Sequence, residues 1–330
     1  MQTRQLGRTG PTVSALGLGA MGMSDMYGPA DRDESLATVQ AALDAGVTLI
    51  DTGDFYGSGH NEMLLAEALR GVARDRYQLS VKFGGLRGPD GGFIGYDCRP
   101  RAMKNFLAMS LKRLQVDYID VYRPSRLDPD VPIEETVGAI GEMVQAGYVR
   151  HIGLSEVGAE TIRRAAATHP ICDLQIEYSV ISRGIEAAIL PTCRELGIGI
   201  TAYGVLARGL ISGHWRKGPP QGRDFRGMSP RFQGENLDHN LALAEALGAL
   251  AAEKGFTTAQ LAIAWVAAQG DDILPLVGAR RRERLAEALG ALEARLSPSD
   301  LAAVEAAVPK GAAVGDRYPT AMMHHLDSER

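Results

Sequence analysis

Short apolar runs recur along this chain at roughly 25–35-residue spacing, with amphipathic stretches between them. That alternation restricts the fold more than any other feature. Eight runs read as strands, at residues 16–19, 48–51, 78–82, 118–122, 151–155, 174–178, 199–203 and 273–277. The intervening segments carry helical spacing over 34–44, 61–69, 101–114, 133–145, 161–168, 186–196, 241–252, 258–268 and 282–291. A last helix is predicted over 301–307, after Ser297-Pro298-Ser299-Asp300. Gly46, Gly71, Gly147 and Gly197 stand where helices stop. Strands alternating with helices form either a closed parallel barrel or an open doubly wound sheet. Here each strand has its own crossover helix, which predicts an α/β fold of the (β/α)8 barrel type.

The polar start, residues 3–14, has Gly7-Arg8-Thr9-Gly10 at its centre and reads as a β-hairpin capping the bottom of the barrel. No break in composition splits the chain, so one domain over 1–330 is expected. The segment 212–237, rich in Gly, Pro and Arg, is too long for a routine connection. It is read as a substrate-covering or partly disordered loop. The tail after Val308 either folds over the barrel mouth or hangs free.

Composition sets the remaining bounds. With 45% hydrophobic and 23% charged residues the chain is of ordinary globular type. A formal net charge of -5 is too mild to point to nucleic acid or an acidic surface as partner. No apolar run approaches the roughly 20 residues that span a bilayer. The first ten residues lack the apolar stretch of a secretory signal. A cytoplasmic protein without membrane or nucleic-acid partners is therefore expected. Cys98, Cys172 and Cys193 are odd in number and widely spaced. They make neither a disulfide framework nor a metal-ligand pattern, and buried thiols are expected, with no metal.

Gly17, Gly19 and Gly22 spell G-x-G-x-x-G after an apolar run. The dinucleotide fingerprint requires a helix to open within the glycines. Here Met23-Ser24-Asp25-Met26-Tyr27-Gly28-Pro29 follows, which is loop. These glycines are read instead as permitting close backbone approach at the barrel mouth.

Barrel chemistry gathers at the C-terminal ends of the strands. Asp51, Lys82, Ser155, Gln175 and Tyr203 lie at or near such ends, and Tyr56 follows Asp51 closely. An ammonium beside a phenol favours phenolate and makes the phenol a better proton donor. A carboxylate beside that ammonium keeps it charged and in place. Such a trio protonates an alkoxide as it forms, with hydride supplied by a cofactor. The last strand runs into Gly278-Ala279-Arg280-Arg281-Arg282-Glu283-Arg284, a small-residue turn opening a helix, and such turns bind anions. Four arginines exceed what one pyrophosphate needs. A 2′-phosphate uses the excess, favouring NADPH/NADP+ over NADH.

These residues resemble the aldo-keto reductase family over nearly the whole length. Asp51-Thr52-Gly53-Asp54-Phe55-Tyr56-Gly57 is similar to the family's D-T-A-x-x-Y-G, and Glu62 stands where it tends to have an acid. Gly153-Leu154-Ser155-Glu156 resembles G-x-S-N, with Glu156 for Asn. Gln175-Ile176-Glu177-Tyr178-Ser179 resembles Q-x-E-Y-S, and Tyr203-Gly204-Val205-Leu206 resembles Y-S-P-L. The stretch 278–290 resembles P-G-T-R…E-N-L-G, with Ala288 for the usual Asn. The resemblance implies Tyr56 as proton donor, tuned by Lys82 and Asp51. Ser155 and Gln175 would hold the nicotinamide carboxamide and Tyr203 would stack on the ring. Gly19, Met21 and Asp51 would line the cofactor, and Gly204, Leu206 and Gly209 would follow the pyrophosphate. Gly278, Arg280 and Arg284 would bind the adenosine phosphate, and Glu287 the adenine. The family's catalytic His stands in a segment like Y-x-Q-H-R-x-D-P. In Tyr122-Arg123-Pro124-Ser125-Arg126-Leu127-Asp128-Pro129, Ser125 takes its slot. Carbonyl polarisation then falls to Ser125, or to Arg123 or Arg126.

Reduction of a small aldehyde or ketone by NADPH is the expected function. A cofactor-binding accessory or redox-sensing protein of the same fold is the alternative, kept open by Ser125. A phosphosugar-handling barrel enzyme using the 280–284 arginines is a third.

Overall fold

The computed structural model describes residues 1–24, 26–215 and 224–330. In chain order the elements are β1 (Thr3–Gln5), β2 (Thr12–Ser14), β3 (Gly17–Gly19), α1 (Arg32–Asp44), β4 (Leu49–Gly53), α2 (His60–Ala68), β5 (Gln78–Phe83), β6 (Gly85–Arg87), β7 (Phe93–Tyr96), α3 (Pro100–Leu114), β8 (Ile119–Pro124) and α4 (Ile133–Gln145). Then follow β9 (Val149–Ser155), α5 (Ala159–Thr168), β10 (Ile171–Glu177), α6 (Ile189–Leu196), β11 (Gly199–Tyr203), α7 (Gly234–Glu253), α8 (Thr258–Ala267), β12 (Ile273–Gly278), α9 (Arg282–Gly290), α10 (Pro298–Ala307) and α11 (Thr320–Met323).

Strands β3, β4, β5, β8, β9, β10, β11 and β12 close into one parallel barrel in that order, as expected. Each is covered inside by its neighbours across the barrel and outside by helices, so β10 is buried at every residue. Local sequence supports the helices around it. Pro100 and Pro298 sit in first turns, where a missing N–H costs nothing. Thr257 with Gln260 and Ser297 with Asp300 form capping boxes.

The hairpin β1–β2 is antiparallel, and Leu6 and Val13 join Leu49, Val121, Cys172 and Leu274 in a small apolar cluster apart from the main core. It closes the bottom of the barrel as expected. At Gly7 (φ +63°) a Cβ would lie 2.0 Å from the Cys172 carbonyl, so glycine is required where the hairpin abuts β10. The G-x-G-x-x-G run is strand and tight turn, and α1 opens only at Arg32. All three cysteines are buried free thiols. Among the described residues no helix is long and apolar enough to cross a membrane.

Three features differ from expectation. The fourth barrel strand runs on to Pro124, which makes Arg123 a strand residue. A second antiparallel hairpin, β6–β7, follows β5, with Gly88, Gly91 and Gly92 in its turn, and had no strong periodicity to announce it. Helix α7 begins at Gly234 rather than near 241, and residues 225–232 form two tight turns. Part of the expected loop, 216–223, lies outside the described residues. Of the two courses left open for the tail, it takes the fold over the mouth: Arg317 and Tyr318 are buried against β9, β10 and β11.

Candidate active site

Parallel register places the chemistry. Asp51 pairs with Ser80, Gly53 with Lys82, and Lys82 with Arg123, so β4, β5 and β8 present these side chains at neighbouring levels. Lys82 Nζ donates to Asp51 Oδ1, and both side chains are buried. Ser80 Oγ and Gln175 Nε2 each donate to Asp51 Oδ2 at 2.7 Å. Gln175, expected at a carboxamide, donates here to Asp51 and steadies it. The tight turn Tyr56–Gly59 follows β4 and sets the Tyr56 ring 5.2 Å from Lys82 Nζ, edge-on to Phe55.

The electrostatics differ in sign from the simplest reading of that trio. Burial, and then Asp51, hold the Tyr56 phenol well above its ordinary value, and Arg126 only partly offsets them. Burial likewise lowers Lys82, against the pull of Asp51. Removal from water penalises each charged form; for Tyr56 the Asp51 carboxylate adds to that penalty, and for Lys82 it only partly offsets it. Tyr56 consequently keeps its proton at neutral pH, as a donor must.

The remaining expected contacts ring the same end of the barrel. Ser155 ends β9, and its buried Oγ has no hydrogen-bond partner among the described residues. Tyr203 ends β11. Gly19 and Gly278 face each other across β3 and β12, where a Cβ on Gly19 would stand 3.7 Å from Gly278 Cα. Met21 starts the turn after β3. Gly204 has φ +67°, and a Cβ there would come within 3.0 Å of Glu177 Cγ, while Leu206 and Gly209 shape the next turn.

The arginine-rich end is less open than its sequence suggests. Arg280 Nη1 donates to the carbonyls of Tyr27, Gly28 and Pro29. Arg282 pairs with Glu34 at 2.9 Å. Arg284 Nη1 lies 2.6 Å from His214 Nε2 and 3.2 Å from Glu287, which is itself 2.7 Å from His214. His214 thus ties the segment after β11 to α9. Nothing in its irregular surroundings marked it beforehand.

At the end of β8 the three candidates for carbonyl polarisation separate. Arg123 is fully buried inside the barrel, 3.0 Å from Asp173 and 3.0 Å from Ser80 Oγ. Its charge is committed there. Ser125 is buried, and its Oγ has no partner among the described residues. Arg126 is partly buried, donating to the Ser125 carbonyl at 2.6 Å and to Tyr318 Oη at 3.2 Å.

Glu156 has a different set of contacts from those an Asn would make. Fully buried at φ +53°, it accepts from Arg317 Nη2 at 2.8 Å, Tyr203 Oη at 2.7 Å, Ser328 Oγ at 2.7 Å and the Glu177 N–H at 2.9 Å. Burial raises its carboxyl, but Arg317, Arg126 and the Tyr203 hydroxyl outweigh that and hold it far below the usual range. Glu177 is flanked by Arg317, Arg208 and Arg231 at 3.2–3.4 Å. This cluster latches the tail over the mouth. Sequence reading missed Arg317, Tyr318, Arg208 and Arg231, because a contact 161 residues apart leaves no local pattern.

The arrangement, a protonated phenol over a buried Lys–Asp pair with glycine-lined backbone beside it, suits proton donation next to a bound nucleotide. Comparison with known proteins shows the family. The Aldo/keto reductase family model matches residues 15–309. A probable aldo-keto reductase of Glycine max is 42% identical over 328 residues, covering 98% of this chain and 94% of that one. Among solved structures, a glycerol dehydrogenase from Gluconobacter oxydans superposes with a TM-score of 0.83 at 26% identity, covering 99% and 96% of the two chains. A thermostable aldo-keto reductase solved with the inhibitor epalrestat gives 0.75 at 28%, covering 93% and 100%. The chain belongs to the aldo/keto reductase family of oxidoreductases, which act on carbonyl groups.

Proposed function

We propose that this chain reduces an aldehyde or ketone to an alcohol with NADPH, Tyr56 serving as proton donor. The observation that carries the reading is the buried Lys82–Asp51 pair beside the Tyr56 ring. A bound nicotinamide cofactor supplies the hydride. Tyr56, whose proton is retained by burial, gives it to the carbonyl oxygen as negative charge develops there. The Lys82 ammonium opposes the charge left on the phenol, and Asp51 holds Lys82 in position. The described residues fit such a cofactor. The unpartnered Ser155 Oγ suits a carboxamide, and Gly19 and Gly278 leave backbone without side chains where a nucleotide approaches. Arg280 and Arg284 near the start of α9 favour a 2′-phosphate, and so NADPH over NADH.

The second reading, a cofactor-binding protein with little turnover, is favoured by Ser125 in the slot of the family His. One experiment separates the two: NADPH oxidation over a panel of aldehydes, ketones and quinones, with NADPH binding followed by protein fluorescence. Turnover on the panel supports the reductase. Tight binding without turnover supports the second reading, and absence of both overturns each.

A further inference from the structure

The arginines grouped around Tyr203 and Tyr318 are not equivalent. Arg208 and Arg231 pair with Glu177, and Arg317 with Glu156, Glu177 and Glu329. Deeper in the barrel, Arg123 pairs with Asp173. Arg126 differs. Among the described residues no carboxylate lies within ion-pair distance of it, and its hydrogen bonds go to the Ser125 carbonyl and to Tyr318 Oη. The rest of its N–H fork is uncommitted. Its charge nonetheless reaches the reacting centre, where it lowers the proton affinity of both Tyr56 and Lys82. Ser125 Oγ, on the preceding residue, is buried and has no hydrogen-bond partner among the described residues.

Counting hydroxyl protons shows what holds this guanidinium. Tyr203 has one O–H, and it is given to Glu156 at 2.7 Å. In the 3.0 Å contact between Tyr203 and Tyr318, Tyr318 must then be the donor. Tyr318 has no further proton to offer, so it accepts from Arg126. A one-way chain results, from Arg126 through Tyr318 and Tyr203 to Glu156. The tail therefore orients a cation at the mouth that has no carboxylate in direct contact among the described residues, Glu156 acting on it only from beyond ion-pair distance.

A partly buried guanidinium is a permanent charge. An alkoxide forming at Tyr56 matches it only for the moment of reaction. An anion carried by the substrate matches it throughout binding and supplies the direct partner that Glu156, acting at longer range, does not. The planar fork of Arg suits two carboxylate oxygens better than one carbonyl oxygen. From this we infer that Arg126, oriented by Tyr318, is an anion-recognition site of the substrate pocket, and that the carbonyl substrates of this site carry a carboxylate near the reacting carbonyl. The inference rests on the proposed reduction at Tyr56.

The test uses matched acids and esters with NADPH: 4-carboxybenzaldehyde against methyl 4-formylbenzoate, and 4-oxobutanoate against its methyl ester. The readout is the acid-to-ester ratio of kcat/KM. The wild-type ratio is expected to be at least about tenfold for one pair, as charge-assisted hydrogen bonds imply. Arg126→Gln should bring it to about one, mainly through KM of the acid, and Arg126→Lys should leave an intermediate value. Tyr318→Phe, which keeps the guanidinium but removes its acceptor, should lower the ratio several-fold, and it carries the test with Arg126→Lys if Arg126→Gln fails to fold. Binding of 4-(hydroxymethyl)benzoate and its methyl ester to the NADP+-loaded protein, read by fluorescence, should follow the same order and decides the matter where turnover is slow. A wild-type ratio near one for both pairs, or a ratio surviving in Arg126→Gln, overturns the inference while turnover of the esters leaves the reductase reading intact. Failure to bind NADPH or to reduce any of the four compounds strikes that reading itself.

Discussion

Arg123 and Asp173 form an ion pair inside the barrel, Nη1 to Oδ2 3.0 Å, with neither side chain exposed. Asp173 also accepts from Thr201 Oγ1 at 2.6 Å, and Arg123 reaches Ser80, whose hydroxyl donates to Asp51. The pair is therefore a footing, through Ser80, for the Asp51 carboxylate. We predict that Asp173→Asn, which strands the Arg123 cation, costs about 3–5 kcal/mol of stability by urea unfolding. A loss under about 1 kcal/mol would mean that water or another group compensates Arg123.

Tyr56→Phe keeps the ring against Phe55 and Lys82 but removes the proton. Carbonyl reduction should fall by about 10²–10⁴ in kcat with NADPH affinity nearly unchanged. A variant retaining more than about a tenth of wild-type kcat excludes Tyr56 as the proton donor.

Ser125→Ala separates a structural hydroxyl from a functional one. Its Oγ meets no hydrogen-bond partner among the described residues, so stability should change by less than about 1 kcal/mol. If the hydroxyl meets substrate, kcat/KM should drop several-fold. Unchanged kinetics on every carbonyl tested would remove position 125 from the site.

Arg284→Ala should weaken NADPH more than NADH, by about 1.5–3 kcal/mol for a lost charge-assisted contact. Cofactor titrations measure both affinities. Equal losses would show that Arg284 serves Glu287 and His214 rather than a 2′-phosphate.

Asp54 gives a pH signature. Burial, with Glu62 nearby, pushes its carboxyl up to about 8. A carboxyl raised on folding binds more protons in the folded chain than in the unfolded one between the ordinary value, about 4, and 8. Its stability contribution is full at the acid side of that window and declines as pH rises through it. Asp54→Asn should remove this decline, so the variant should gain on wild type between pH 5 and 8 in urea unfolding. Parallel stability curves over that interval would refute the shift.

The barrel was legible in the sequence because its determinants are local. Alternating apolar runs such as 78–82 and amphipathic stretches such as 133–145 carry their own periodicity, and glycine and proline punctuate them. Once a barrel is inferred, strand ends converge by architecture, which is why Asp51, Tyr56, Lys82, Ser155 and Tyr203 group as candidates on the sequence alone. Tertiary structure alone decided how the charges are shared out. Arg123 and Arg126 are three residues apart in one segment. The first is spent on Asp173, 50 residues on, and the second is held by Tyr318, 192 residues on. Glu156 looked like a replaced Asn and proved to be the anchor of the tail through Arg317. Hydrophobic patterning is written along the chain at helix and strand period. The partner of a buried charge is instead whichever opposite group the folded backbone brings within a few ångströms, and no spacing in the sequence encodes that choice.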